Sequence, residues 1–188
     1  MSPFLTIWIK PRETFNCLGE RCLAGKENHI EYLFVLGAIS MALPMIQGMF
    51  NHTDGFILST FMLTITLTPV VGLFFLKYIL SYLIWKLGKV FQGKATFAEV
   101  QLVMAYSMIP AFLHLVIALI FLIPAILLKD INMVLPQHPV TYFVIWIFTC
   151  RILVYGLSRF NHFTYGYAIL NFVILTAMIE IIRLLIVK

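Results

Sequence analysis

Residues 100–128 read VQLVMAYSMIPAFLHLVIALIFLIPAILL, from Val100 to Leu128 without a single Asp, Glu, Lys or Arg. A helix needs roughly 20 apolar residues to cross the hydrocarbon of a bilayer, which is about 30 Å thick. This run exceeds that length and is bounded by Glu99 and Lys129. A membrane-spanning strand would alternate polar and apolar side chains over about ten positions, so a continuous apolar run excludes a barrel. Pro110 and Pro124 fall inside the run and predict breaks in the helix.

Four further runs share this character: Tyr32–Phe50, Phe56–Trp85, Val140–Leu157 and Tyr167–Val187. The second is longer than a bilayer requires, and Pro69, behind Thr64, Thr66 and Thr68, is the expected place for it to bend. Pro44 is the corresponding position in the first. The expected fold is all-α, a polytopic bundle of five transmembrane helices at about 32–50, 56–85, 100–128, 140–157 and 167–187. These form one domain over 32–188, behind an N-terminal segment 1–31. Composition agrees: 62% of the residues are hydrophobic and 11% charged, with a mean hydropathy of +0.99. Soluble domains are roughly 45–50% apolar and about 25% charged. Lipid must therefore be the solvent.

Charge orients the bundle. Lys10, Arg12, Arg21 and Lys26 precede the first run, Lys86, Lys89 and Lys94 follow the second, and Arg159 follows the fourth; the opposite connections offer Lys129 and the end Lys188. Positive-inside topology then puts the N-terminus in the cytoplasm and the C-terminus outside. The net charge of +5 arises from residues flanking apolar runs, so nucleic acid is not an expected partner. No basic n-region or cleavage motif marks a signal peptide, and the first run is expected to remain as a span.

The N-terminal segment carries its own pattern. Pro11 suits the first turn of a helix, and Phe15, Leu18, Cys22 and Leu23 then recur at helical spacing. With Phe4, Leu5, Ile7, Trp8 and Ile9 ahead of it, this reads as an interfacial amphipathic helix resting on the membrane through Trp8, Phe15 and Leu18. Further on, Thr96-Phe97-Ala98-Glu99 has the spacing of a capping box and predicts a helix start there.

Catalytic chemistry is sparse. GxGxxG, GxxxxGK[ST], HExxH and GxSxG are absent from the sequence, and Cys17, Cys22 and Cys150 form no CxxC pair. His29, His52, His114, His138 and His162 are scattered; His52 with Asp54, joined by Asp130 and His138, could converge outside as a cation or proton site, against the commoner reading of solvated loop residues. No enzyme, metal or cofactor is expected. The distinctive residues are Lys77, His114, Arg151, Glu180 and Arg183, polar groups at membrane depth. Each costs on the order of 2.5–3.5 kcal/mol to insert when ionised, so such groups seek partners. Glu180 has Arg183 at i+3, and Lys77 or Arg151 across the bundle. Two readings stand: an ion or proton path, or structural pairs with Lys77 and Arg151 snorkelling to the interface. Ala38 with Ala42, and Ser107 with Ala111, would allow close helix approach within the bundle or between copies.

Three stretches resemble one family. Lys10-Pro11-Arg12-Glu13-Thr14-Phe15 resembles the P-x-x-T-F segment that precedes the first span of the Yip family, the Ypt-interacting membrane proteins. Gly93-Lys94-Ala95-Thr96-Phe97-Ala98-Glu99, then Ala105-Tyr106-Ser107 and Ile109-Pro110, is similar to its central G-x-x-[ST]-F stretch and the Y-s-x-x-P of the third span. Gly156-Leu157, Asn161-His162 and Tyr165-Gly166-Tyr167-Ala168 resemble its last loop. The resemblance singles out Pro11, Phe15, Gly93, Phe97, Glu99, Pro110 and His162, and implies five spans with a cytoplasmic N-terminus. Eukaryotic members bind Rab GTPases through a long N-terminal region. Here 31 residues precede the first run, so Rab binding is not carried over. The likeness is nearer to short bacterial members, which implies a bacterial inner membrane.

The expected function is accordingly that of a non-enzymatic protein organising or shaping the bilayer. Its expected partners are membrane lipids, and a second copy or other membrane proteins. The alternative is a small channel or transporter built around Glu180, and a lipid-modifying enzyme ranks behind both.

Overall fold

The computed structural model describes residues 3–23, 30–50, 66–67, 69–128 and 139–186. Among the described residues the chain is helical, with short connections and no strand. In chain order the helices are α1 (Pro3–Ile9), α2 (Pro11–Leu23), α3 (Glu31–Phe50), α4 (Pro69–Val90), α5 (Phe97–Ser107), α6 (Phe112–Leu128), α7 (Pro139–Asn161) and α8 (Tyr165–Ile186).

Local chemistry explains where these elements start and stop. Pro11 opens α2, and the chain turns sharply just before it. The Thr6 and Thr14 hydroxyls stand 3.0 Å apart, whereas eight residues of straight helix would separate them by about 12 Å. Helical bonding carries through the bend, with Lys10 N–H donating to Thr6 O (2.8 Å) and Thr14 N–H to Lys10 O (3.1 Å). The expected capping box is present at α5: Glu99 N–H donates to Thr96 Oγ1 (3.3 Å) and the Glu99 carboxylate accepts from Thr96 N–H (2.7 Å). Pro110 breaks the third run as expected, in a 3₁₀ turn over Ile109–Ala111, whereas Pro124 is carried inside α6.

One departure from regular helix lies in α4, whose residues Phe75–Leu80 form a π turn. A π turn displaces carbonyls from the ordinary ladder, and in lipid each needs a partner. Ser81 Oγ donates to Leu76 O (3.0 Å) and Gln101 Nε2 to Lys77 O (2.9 Å). Both displaced carbonyls are thereby satisfied from side chains.

The core centres on α5. Val100 and Leu102–Ala111 are buried almost without interruption, against α3, α4, α7 and, from outside the bundle, α2. The small pairs belong to this packing: Ala38, Ala42, Ser107 and Ala111 are all buried, and a Cβ on Gly72 would lie 3.1 Å from that of Ala38. Close approach is thus seen inside the bundle at Ala38.

Among the described residues three helical segments are long and apolar enough to cross a membrane: Pro69–Val90, Phe97–Pro124 and Val140–Asn161. Glu31–Leu43 and Tyr165–Met178 are shorter apolar stretches of α3 and α8. Compared with the apolar runs, α7 continues four residues past Leu157, and α8 starts at Tyr165, two before Tyr167. Charge-bearing turns extend helices beyond their apolar part because backbone bonding does not depend on hydropathy. Residues 51–65, including His52 and Asp54, and Lys129, Asp130 and His138 lie outside the described residues.

The N-terminal segment differs from expectation in what its apolar face meets. Phe15 and Leu18 are 0% and 1% exposed, covered by protein. Phe15 sits edge-on to Tyr106 (6.3 Å) and Phe160 (6.1 Å). The reason is Gly156 on α7: a Cβ there would be 2.9 Å from Phe15 Cζ, so the missing side chain leaves room for the ring. These two residues dock α2 on the bundle and not on lipid. Trp8, the third expected anchor, is partly buried against Phe148, with ring centroids 5.5 Å apart.

Candidate functional site

The polar groups concentrate where α4 turns into α5 and α7 into α8. Both turns close with an N–H bonded to the carbonyl five residues back. At the end of α4, Gly93 N–H donates to Gly88 O (2.8 Å) and Gln92 N–H to Lys89 O (3.0 Å), the paired bonds of a Schellman cap. At the end of α7, Phe163 N–H donates to Ser158 O (3.1 Å), and Ser158 Oγ to Phe163 O (2.7 Å). The left-handed position in each cap is usually glycine, yet here Gln92 (φ 61°) and His162 (φ 56°) hold it. His tolerates that conformation better than most residues, which accounts for His162 as a turn residue and assigns it no chemistry.

The two caps are locked together. Lys94 N–H donates to Asn161 O (3.4 Å). Gly93 leaves its Cβ space to Asn161: a Cβ would lie 2.2 Å from Asn161 Oδ1 and 2.8 Å from Phe163 Cζ. Gly88 makes room likewise for Asn161 and Asn171. Phe91, Phe163 and Tyr167 surround the junction with ring centroids 6.0–6.5 Å apart. Asn171 Nδ2 donates to Ile84 O (3.4 Å), tying α8 to α4. Asn161 Nδ2 and Asn171 Oδ1 are buried without a partner. Asn171 was legible only as a lone amide in an apolar run, and Gly88 carried no signal.

Beside this junction stands a set of aromatic and basic side chains. Trp85 Nε1–H donates to Ala95 O (3.2 Å), and its ring packs with Tyr82 (5.8 Å) and Phe97 (6.0 Å). Lys86 and Lys89 place their ammonium groups 5.5 and 5.9 Å from the centre of the indole.

The positions singled out by resemblance are thus structural punctuation. Pro11 opens α2, Phe97 and Glu99 open α5, Pro110 breaks the third run, and Gly93 and His162 end helices; Phe15 packs between α2, α5 and α7.

The membrane-depth polar residues are distributed over separate places. Lys77 Nζ meets Glu31 Oε1 at 3.0 Å. Arg151 reaches the N-terminal segment, donating to Trp8 O (3.4 Å) and Ile9 O (3.3 Å). His114 is 7% exposed, faces the Tyr142 ring at 4.9 Å, and has no hydrogen-bond partner at either ring nitrogen. Glu180 lines an apolar groove of about 410 Å³ between α7 and α8, with Trp146 and Cys150. Arg183 lies one turn further along α8, and its side chain is outside the described residues. Sequence reasoning missed Glu31 because it falls just before the first apolar run. Among the described residues no group of three or more His, Cys, Asp or Glu is arranged to hold a metal.

Against known proteins, the model of one family, the Yip1 domain, matches residues 5–187. Neither a curated protein nor a solved structure matches the chain. With the match running through all eight helices, the chain belongs to the Yip family of membrane proteins.

Proposed function

We propose that this protein is a non-enzymatic organiser of the bilayer. It crosses the membrane five times, with its N-terminus cytoplasmic and its C-terminus outside, in a bacterial inner membrane. Helix length supports the count: α3 and α8 have 20 and 22 residues, about 30 Å or more at 1.5 Å per residue. Lys86, Lys89, Lys94 and Arg159 gather at the two turns that the charge rule assigns to the cytoplasm.

One observation carries the reading, the seat of α1. Ile7 is fully buried against the bundle, while Leu5 and Ile9 are 60% and 74% exposed. The last carbonyls of α1 would be left without donors, and Arg151 supplies them. A backbone so satisfied tolerates hydrocarbon. Helix α1 then acts as an apolar wedge in the cytoplasmic leaflet. Lipids are the primary partners, with a second copy or other membrane proteins beside them.

The test is vesicle shape. Purified protein is reconstituted at increasing protein-to-lipid ratio and imaged by electron microscopy, alongside Leu5→Glu/Ile9→Glu. Wild type should narrow or tubulate the vesicles, and the variant should do so less at equal insertion and helix content. Vesicles unchanged by inserted wild-type protein would defeat the reading. A channel is the second reading, favoured by the unpartnered imidazole of His114. Ion flux through the same vesicles that His114→Phe abolishes would establish it instead.

A further inference from the structure

The outward side of α4 is apolar at one end and basic at the other. Phe74, Phe75, Tyr78, Ile79, Tyr82 and Leu83 are exposed in pairs, four residues apart, so they form one stripe along the helix. Lys86 follows one turn later. From Phe74 to Lys86 the helix rises about 18 Å, a little more than half of the roughly 30 Å hydrocarbon core. The exposed pairs continue back through Val70 and Val71, so Phe74–Lys86 is the leaflet-length part of the stripe that ends on the basic side chains.

The basic end is preorganised. The Trp85 ring is fixed by its bond to Ala95 O and by Phe97. Lys86 lies over both Trp85 (5.5 Å) and Tyr82 (5.7 Å), and Lys89 over Trp85 (5.9 Å) while donating to Gly93 O (3.0 Å). Two like charges are thus held by one indole. No carboxylate answers them: among the described residues the salt bridges are Lys10–Glu13 and Lys77–Glu31. Glu99, close in sequence, is occupied by the Thr96 N–H and hydroxyl. Lys77, on the same helix, already has its counter-charge.

We infer that this side of α4 binds an anionic phospholipid, its phosphate held by Lys86 and Lys89 and an acyl chain lying along Phe75, Ile79 and Leu83. The inference rests on the lipid-organising reading and names the lipid class for it. The apolar stripe is what separates a lipid from free phosphate, which would need only the lysines.

Native mass spectrometry of the full chain from micelles doped with phosphatidylglycerol or phosphatidylcholine tests the seat. Wild type should retain phosphatidylglycerol preferentially. Lys86→Gln should weaken that retention roughly fivefold, and Lys86→Gln/Lys89→Gln roughly thirtyfold, as expected for juxtamembrane lysines on an anionic surface. Lys86→Arg/Lys89→Arg should restore it. Ile79→Ser/Leu83→Ser should weaken retention without adding sensitivity to inorganic phosphate. Retention unchanged in the double Gln variant, with wild type still reshaping vesicles, would refute this seat alone. Loss of both lipid preference and reshaping in wild type would remove the parent reading too. Displacement by millimolar inorganic phosphate as effective as by lipid would reassign the lysines to a free anion and overturn the proposal.

Discussion

Gly93→Ala places a methyl group into the junction between the α4 and α7 caps. The added Cβ would lie 2.2 Å from Asn161 Oδ1, 2.8 Å from Asn161 Cγ and 2.8 Å from Phe163 Cζ. Asn161 is only 4% exposed and cannot swing outward without opening the junction. Overpacking of this kind costs about 1–3 kcal/mol. The expected destabilisation is therefore about 1–3 kcal/mol, large for a single methyl group. The assay is reversible denaturation in a mild detergent, followed by far-ultraviolet circular dichroism. Gly166→Ala is the matched control, because its Cβ would meet nothing nearer than Thr164 Oγ1 at 3.9 Å. It should be neutral or stabilising by up to about 1 kcal/mol, the ordinary helix preference of Ala over Gly. Asn161→Ala should itself destabilise, but Gly93→Ala added to it should cost far less than in wild type. Equal effects of Gly93→Ala in both backgrounds, or stability like that of Gly166→Ala, would refute the close approach.

Gln92→Gly should stabilise the protein by about 0.5–1 kcal/mol in the same denaturation assay, since it relieves a left-handed residue at φ 61°; Gln92→Val should destabilise it. Phe15→Ala should cost about 3–5 kcal/mol and speed amide exchange across residues 11–20, because it empties the space that Gly156 leaves for the ring. Arg151→Gln should speed exchange of residues 3–9 more than of 11–20, as only α1 loses its donors. Equal protection in wild type and variant would show that Arg151 does not hold α1.

What could be read from the sequence was local or bulk. The start of α5 was legible because Thr96 and Glu99 are three residues apart and bond only to each other's neighbourhood. The break at Pro110 follows from a missing N–H, and the apolar runs follow from hydropathy. The docking of α2 was not legible in the same way. An apolar face at helical spacing looks alike whether lipid or protein will cover it, and the deciding residue, Gly156, lies far away in sequence. The π turn at Phe75–Leu80 is hidden too, since its stabilising partner Gln101 belongs to another helix. The twin caps escaped because Gln92 and His162 stand where pattern reading looks for glycine.

The same distinction governs the charges in the bundle. Read along the chain, Lys77, Arg151 and Glu180 invite a single network, since one carboxylate at membrane depth is the obvious counter-charge for two cations. The structure gives each cation a nearer answer. Lys77 finds Glu31 at the start of α3, a residue at the edge of the apolar run and 62% exposed at its side chain. A pair so placed is worth less than about 1 kcal/mol. Arg151 finds no carboxylate; it finds the carbonyls at the end of α1, where unsatisfied oxygens and the negative end of the helix dipole both favour a guanidinium. Removing either cation's partner therefore perturbs a different element, α3 in one case and the N-terminal helix in the other. Glu180, in the groove between α7 and α8, is left to a third location. A conduction path that included Glu180 would therefore not run through the contacts of Lys77 and Arg151 described here.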